Sequence, residues 1–358
     1  MSDDTDAIEA AIALLVPRLL GTLDRLALIG RHLHPPHIPE LAEAIGDRDN
    51  FLSEARDAAN ALSWPDTLAG FHDPLDVAAR YTLQACSGLR AAATQDNGLR
   101  EAYRALRQTA RAMEALYDLK DALRTLDLWF LNPDQRADPA LLDRLSHKPA
   151  TGGVVHVANE RTERGGFSVY FPENHDPNAP CPLVMALHGG SGHGRQFLWN
   201  WIREARGRGL TVVTPTSTGE TWSLMDPEID IAHLTRVLDR VREHVAVDPE
   251  RLLLTGMSDG GTFTLLAGLT EESPFTHLAP VAASFHPLLL TMTEPDRIAG
   301  LPIYLVHGAL DWMFPVSTGR TASRALSAAG ARVTYREIDD LSHVYPIDEN
   351  NRIIDWLT

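Results

Sequence analysis

The sequence predicts an α/β domain, a mostly parallel sheet with helices on both faces, preceded by an all-α helical bundle. Three observations predict it. Apolar residues recur at helical spacing through the first 131 residues, as in Ile8, Ile12, Leu15, Leu19, Leu23 and Leu26. From Gly153 the apolar period changes to two, as in a half-buried hairpin. Beyond residue 180, short Val/Leu-rich runs alternate with amphipathic stretches, the pattern of parallel strands buried on both faces. At 358 residues the chain is long enough for two cores. The expected division is a helical domain at 1–131, a linker at 132–152 and the α/β domain at 153–358.

In the helical region, Pro17 is expected to kink the first helix, and His34-Pro35-Pro36-His37 to end it. Short helices follow over Glu40–Ile45 and Phe51–Leu62. Asp73-Pro74 reads as an N-cap with proline at the first helical position, opening a helix through about Ala93. After the turn Gln95-Asp96-Asn97-Gly98, the longest helix is expected, with Leu106, Ala110, Met113, Leu116, Leu123, Leu126 and Phe130 on one face and Asn132-Pro133 as its stop. No pair of carboxylates and no His cluster with ligand spacing occurs here. The region is expected to serve as a lid, a packing module or a homodimerisation module.

The linker carries a short amphipathic piece, Pro139–Leu145, and ends in Lys148-Pro149-Ala150-Thr151-Gly152. Val154–Ala158 and Phe167–Phe171 are predicted to pair as a hairpin across Glu163-Arg164-Gly165-Gly166. Leu183–Leu187 is a continuous apolar strand running into His188-Gly189-Gly190-Ser191-Gly192-His193-Gly194. That loop lacks the Lys-Ser/Thr ending of a P-loop and the spacing of the dinucleotide fingerprint. Its glycines instead suit an oxyanion loop, whose backbone N–H groups approach a substrate oxygen. A helix over 195–208, a strand over 210–214, a loop containing Trp222 and a helix over 228–245 complete the run to the next strand.

Composition narrows the functional classes. The formal charge of −16 repels nucleic acid and anionic membrane surfaces, and no basic cluster offsets it. The N-terminus, Met1-Ser2-Asp3-Asp4-Thr5-Asp6, is acidic where a secretory signal needs positive charge, and no run is long enough to span a bilayer. Cys86 and Cys181 fall in different expected domains, so a disulfide framework is not expected and a reducing, cytoplasmic location fits. No thiolate metal site is legible, and no metal or organic cofactor is expected.

The chemistry concentrates in Gly256-Met257-Ser258-Asp259-Gly260. It follows the apolar run Arg251–Thr255 and precedes a helical stretch from Gly261 to Gly268, which is the strand–turn–helix context of a nucleophile elbow. A sharp turn with the serine at its apex brings strand and helix backbones together, so side chains at 256 or 260 would collide. The N–H of Asp259 then points toward the hydroxyl at a helix N-terminus, where donors and dipole favour an anion. Leu301–Val306 is a further strand, and His307-Gly308-Ala309-Leu310-Asp311 leaves its end carrying an acid. Arg332–Ile338 alternates like a strand and exits into Ser342-His343. The order Ser258, Asp311, His343, each after a strand, matches the triad order of that fold. Asp339 and Asp340 read as solvated turn residues, and His188 and His307 as structural histidines. His286 precedes Asp311 and breaks the order. Trp222 and Trp312 flank the site loops and either line an acyl or aryl pocket or belong to the core.

From about Asp176 onward the chain resembles α/β-hydrolase esterases, in the branch of phospholipase/carboxylesterases and polyhydroxybutyrate-depolymerase-like or feruloyl esterases. The match rests on Leu187-His188-Gly189-Gly190, Gly256-Met257-Ser258-Asp259-Gly260-Gly261, His307-Gly308-Ala309-Leu310-Asp311 and Ser342-His343. The resemblance implies Ser258 as nucleophile, His343 as base, Asp311 as the acid orienting it, and the N–H groups of Gly190 and Asp259 as oxyanion donors. It implies a carboxylesterase, and the net charge of −16 adds the expectation of small to medium uncharged esters with no nucleic-acid or membrane partner. A thioesterase, peptidase or acyltransferase on the same fold, or a non-catalytic binding scaffold, stays open. The first 130 or so residues carry no such resemblance.

Overall fold

The computed structural model describes residues 2–146, 152–173 and 179–358. The expected linker stretch Lys148-Pro149-Ala150-Thr151 and the point near Asp176 where the resemblance begins lie outside the described residues. The chain divides into two compact units, Met1–Phe130 and Leu131–Thr358.

The first unit is helical throughout: α1 (Ser2–Arg31), α2 (Ile38–Glu43), α3 (Arg48–Asn60), α4 (Ala69–Ala92), α5 (Gly98–Leu106), α6 (Gln108–Tyr117) and α7 (Arg124–Trp129). The apolar stripe of α1 is its core face, with Leu15, Leu19, Leu23 and Leu26 all buried. Pro17 lies inside this continuous helix. Two expectations need correction. Asp73 does not cap a helix: α4 begins at Ala69 and carries Pro74 in its interior. The extra upstream turn is anchored by His72, whose ring packs against Trp64 at 4.5 Å and whose Nε2 lies 2.9 Å from Asn60 Oδ1. These contacts offset the ladder bond that the proline removes. The predicted single helix before Asn132 is instead three. No Gly or Pro after Gly98 breaks it; the chain bends because α5 and α6 each fold onto α4. At Gly88 the fit is close enough that a Cβ would stand 2.9 Å from that of Ala105.

The second unit contains α8 (Pro139–Ser146), β1 (Gly153–Val157), β2 (Phe167–Phe171), β3 (Cys181–Leu187), α9 (Gly194–Phe197), α10 (Ile202–Arg208), β4 (Thr211–Pro215), α11 (Glu228–Arg242), β5 (Val247–Met257) and α12 (Asp259–Gly268). It continues with β6 (His277–Val281), α13 (Leu288–Thr291), α14 (Pro295–Ile298), β7 (Pro302–Gly308), α15 (Val316–Ala328), β8 (Arg332–Ile338) and α16 (Asn350–Leu357). The eight strands form one sheet in the order β1-β2-β4-β3-β5-β6-β7-β8. Strand β2 pairs antiparallel with both neighbours, and every other pairing from β4 to β8 is parallel.

The predicted helix over 195–208 is interrupted by a tight turn at Leu198–Asn200. Phe197, Leu198, Trp199, Trp201 and Ile202 are all buried, and a single regular helix cannot turn so many consecutive side chains inward. Strand order reverses at β3, which has β4 on one side and β5 on the other. Ligand crevices of open α/β sheets form at such a point, beyond the carboxyl ends of the strands. There Leu187 of β3 pairs with Gly256 of β5, so the loops leaving both strands emerge side by side. Among the described residues, no helix is long and apolar enough to cross a membrane.

Candidate active site

Ser258 sits at that crevice, between β5 and α12, with φ 58° and ψ −119°. A left-handed conformation at a residue bearing a Cβ is strained, and such strain concentrates at functional sites. The flanking glycines show what forces it. A Cβ on Gly256 would lie 2.5 Å from the Gly260 carbonyl, and one on Gly260 would lie 2.5 Å from the carbonyl oxygens of Leu187 and His188. The elbow is therefore pressed against the exit of β3. The Ser258 N–H donates to Val281 O at 2.9 Å, tying the turn to β6 as well.

Two more strand exits complete the cluster. At the end of β7, a Cβ on Gly308 would stand 2.2 Å from Leu341 O, so the β7 and β8 exit loops run in contact. The Leu310 N–H donates to that same oxygen at 2.9 Å. Asp311 on one loop and His343 on the other are thereby held together. His343 Nδ1 lies 2.8 Å from Asp311 Oδ2, and His343 Nε2 lies 3.0 Å from Ser258 Oγ. All three side chains are buried.

The second oxygen of Asp311 accepts from the N–H groups of Met313 at 2.9 Å and Phe314 at 2.8 Å. Burial alone would raise its pKa. The hydrogen bond from His343 and those from the backbone outweigh it, and hold the carboxyl below its ordinary value. A carboxylate there requires the proton on His343 Nδ1, which leaves Nε2 free to accept from the serine hydroxyl. The rings of Trp312 and Phe314 meet the imidazole edge-on, with centroids 5.9 and 5.4 Å away.

On the other side of Ser258, Asp259 is the first residue of α12, so its N–H is among those without an intrahelical partner. Gly190 lies against the Asp259 side chain: a Cβ there would meet Asp259 Oδ2 at 2.8 Å. The structure thus brings Ser258, Asp311, His343, Gly190 and Asp259 to one end of the sheet.

The two tryptophans divide. Trp312 is 40% exposed beside His343. Trp222 is only 2% exposed, stacks on Phe263 at 5.3 Å, and donates from Nε1 to His188 O at 2.7 Å. The pocket reading is therefore corrected for Trp222: it is a core residue that pins the start of the glycine loop, because the indole's large apolar face belongs against the underside of α12. His188 and His307 are structural. His188 accepts from Ser217 N at 3.1 Å through Nε2, which leaves Nδ1 to donate to Gly189 O at 2.7 Å. His307 donates from Nε2 to Phe314 O at 2.9 Å. Asp339, Asp340 and His286 are exposed. Sequence reading missed Phe314 and Thr221, whose hydroxyl donates to Asp259 Oδ2 at 2.6 Å. Neither carries a motif; only their nearness in sequence to Asp311 and Trp222 hints at them. Among the described residues no group of His, Cys, Asp and Glu side chains is arranged to hold a metal ion.

An aspartate, a histidine and a strained serine in one hydrogen-bonded line, on this sheet topology, define the class of α/β-hydrolases. Comparison with known proteins finds similarity to esterases and to a thioesterase. Residues 228–358 match the family described as Phospholipase/Carboxylesterase, a segment that holds Ser258, Asp311 and His343. The chain is 30% identical over 147 residues to a bifunctional acetylxylan esterase/xylanase of Neocallimastix patriciarum, covering 40% of this chain and 21% of that protein. It is 30% identical over 101 residues to an acyl-protein thioesterase 1 of Gibberella zeae, covering 26% of this chain and 42% of that protein. It is also 22% identical over 200 residues to a feruloyl esterase C of Emericella nidulans, covering 53% of this chain and 72% of that protein. The chain thus spans about a fifth and less than half of the first two relatives' lengths.

Proposed function

We propose that the protein is a serine carboxylesterase that hydrolyses small to medium uncharged carboxylic esters through an acyl-enzyme. The observation that carries the reading is the unbroken line of hydrogen bonds from Asp311 through His343 to Ser258 Oγ. His343 Nε2 takes the serine proton as Oγ attacks the ester carbonyl, and the imidazolium formed is stabilised by the Asp311 carboxylate. The oxyanion accepts from the N–H groups of Asp259 and Gly190, one at a helix N-terminus and one in the glycine loop. His343 then returns its proton to the leaving alcohol. Water, deprotonated by the same imidazole, releases the acid and restores the serine.

The formal charge of −16 supports a preference for neutral substrates over anionic ones. The half-exposed Trp312 beside His343 supports an apolar acyl or aryl group at that wall.

Turnover of p-nitrophenyl acetate and butyrate, with intact-mass detection of a fluorophosphonate adduct, tests the reading. Ser258→Ala is expected to lose the adduct and to lower kcat by about 10⁵- to 10⁶-fold. A wild-type protein that neither turns over esters nor labels is a binding scaffold instead. A thioesterase reading draws support from the Gibberella zeae relative, and a medium-chain acyl-CoA in the same assay separates it: kcat/KM higher on the thioester than on the matched oxygen ester would replace the carboxylesterase reading.

A further inference from the structure

The two amides proposed to bind the oxyanion belong to different elements, the loop leaving β3 and the first turn of α12. What joins them is the loop leaving β4. Its Ser217 N–H and its Trp222 indole hold the His188 ring and carbonyl, while its Thr221 hydroxyl holds the Asp259 carboxylate. The loop is itself gripped from two sides. On one side is Asp230 of α11, whose carboxylate accepts from Thr218 N at 3.0 Å, Ser223 N at 2.8 Å and Ser223 Oγ at 2.9 Å.

On the other side is Arg164, from the β1–β2 connection. Its Nε donates to Gly219 O at 2.7 Å, and its Nη2 donates to Ser217 Oγ and, at 3.1 Å, to Glu220 O. Its Nη1 crosses to the glycine loop and donates to Gly192 O at 2.7 Å. Gly192 closes a turn with Gly189, its N–H donating to Gly189 O at 2.9 Å, and Gly190 and the left-handed Ser191 lie inside that turn. One planar guanidinium therefore spans the turn that presents Gly190 and the loop that steadies Asp259. Lysine, a single point of charge, cannot reproduce this fork.

Building on the serine-hydrolase reading, we propose that Arg164 is a positioning residue for the oxyanion site: it locks the β3 and β4 exit loops in the register in which the Gly190 and Asp259 amides converge on the substrate oxygen. Without it the triad line is intact, since Arg164 touches none of its members, but the donors lose their common frame.

The test compares wild type, Ser258→Ala, Arg164→Met and Arg164→Lys on p-nitrophenyl butyrate. It also measures inhibition by a trifluoromethyl ketone, which forms the tetrahedral oxyanion with serine, and by the matching methyl ketone. Loss of one oxyanion donor typically costs about 10²- to 10³-fold, so misaligning donors is expected to lower kcat by about 10- to 100-fold in both Arg164 variants. KM is expected to stay within about threefold, and the trifluoromethyl ketone to weaken by the same factor as kcat/KM while the methyl ketone does not. Should Arg164→Met fail to fold, Arg164→Lys carries the same readout. A soluble Arg164 variant with kcat within about threefold of wild type, or one that loses kcat with an unchanged trifluoromethyl-ketone constant, overturns the role while leaving the hydrolase reading in place. A wild-type protein that neither turns over esters nor reacts with a fluorophosphonate overturns both.

Discussion

The helical unit and the sheet unit spend their interiors differently. In the first, the buried side chains are aliphatic or aromatic apart from Thr22, Thr82, Lys120 and the thiol of Cys86 among the described residues. Both threonine hydroxyls are satisfied within their own helix, donating to Arg18 O and Ala78 O. The Lys120 ammonium sits over the Tyr117 ring and beside Asp121. Among the described residues of that unit, the only positive φ is at Gly46. The sheet unit instead buries Ser258, Asp311, His343, His188, His307 and Asp230, and holds Ser191, Ser258 and Ala282 at positive φ where the chain leaves β3, β5 and β6. These strained residues and these buried polar groups coincide at one end of one sheet. A fold retains both together where they serve chemistry, because each alone costs stability.

That contrast predicts which changes damage activity and which only stability. Beyond loss of the Ser258 hydroxyl itself, the largest effect is expected from Asp311→Asn. The amide cannot enforce the Nδ1-protonated tautomer of His343, and kcat is expected to drop by about 10⁴-fold in ester hydrolysis, with the fold retained. The same substitution has a pH signature. The folded carboxyl titrates below its ordinary value of 3.8, so its stabilisation is fully present above that pH and is lost as the pH falls through the folded value. Melting temperatures recorded from pH 6 down to pH 3 are expected to fall less steeply in Asp311→Asn than in wild type.

Next comes Gly260→Ala, which forces a Cβ against two backbone oxygens of the β3 exit. It is expected to cost at least about 3 kcal/mol in urea denaturation, because neither oxygen belongs to a side chain that can move aside. Leu26→Ala in the helical unit is expected to cost a similar amount, about 2–5 kcal/mol, but with kcat per folded molecule unchanged. A loss of kcat there would erase the distinction between the two units. The smallest effect is expected from Trp312→Ala. KM for aryl esters rises by about fivefold while kcat holds, since the ring flanks His343 without bonding to it.

Much of the site was legible because each piece is announced locally. The glycines at 256 and 260 mark a turn that tolerates no Cβ, and Asp311 and His343 each follow a strand whose period is visible in a few residues. Trp222 stayed undecided between pocket and core for a physical reason. A tryptophan in a loop beside glycines has the same local pattern whether it faces a pocket or the core, and only the position of Phe263, forty-one residues later, decides between them. The helix predicted over the end of the first unit failed similarly. Its apolar spacing is helical throughout, and the bends come from packing on α4.

Arg164 is the extreme case. In the chain it is a charged residue in a hairpin turn, indistinguishable from a solvated one, yet its donors reach oxygens at 192, 217, 219 and 220. Periodicity, turn chemistry and strand-end motifs depend on neighbours a few residues away, so the amino-acid order alone carried the fold class, the strands and the three residues at their ends. The shared frame of the Gly190 and Asp259 amides depends on loops up to about a hundred residues apart meeting over the β3–β5 seam. No local pattern encodes such a meeting, because it exists only once the sheet has brought those strand exits side by side.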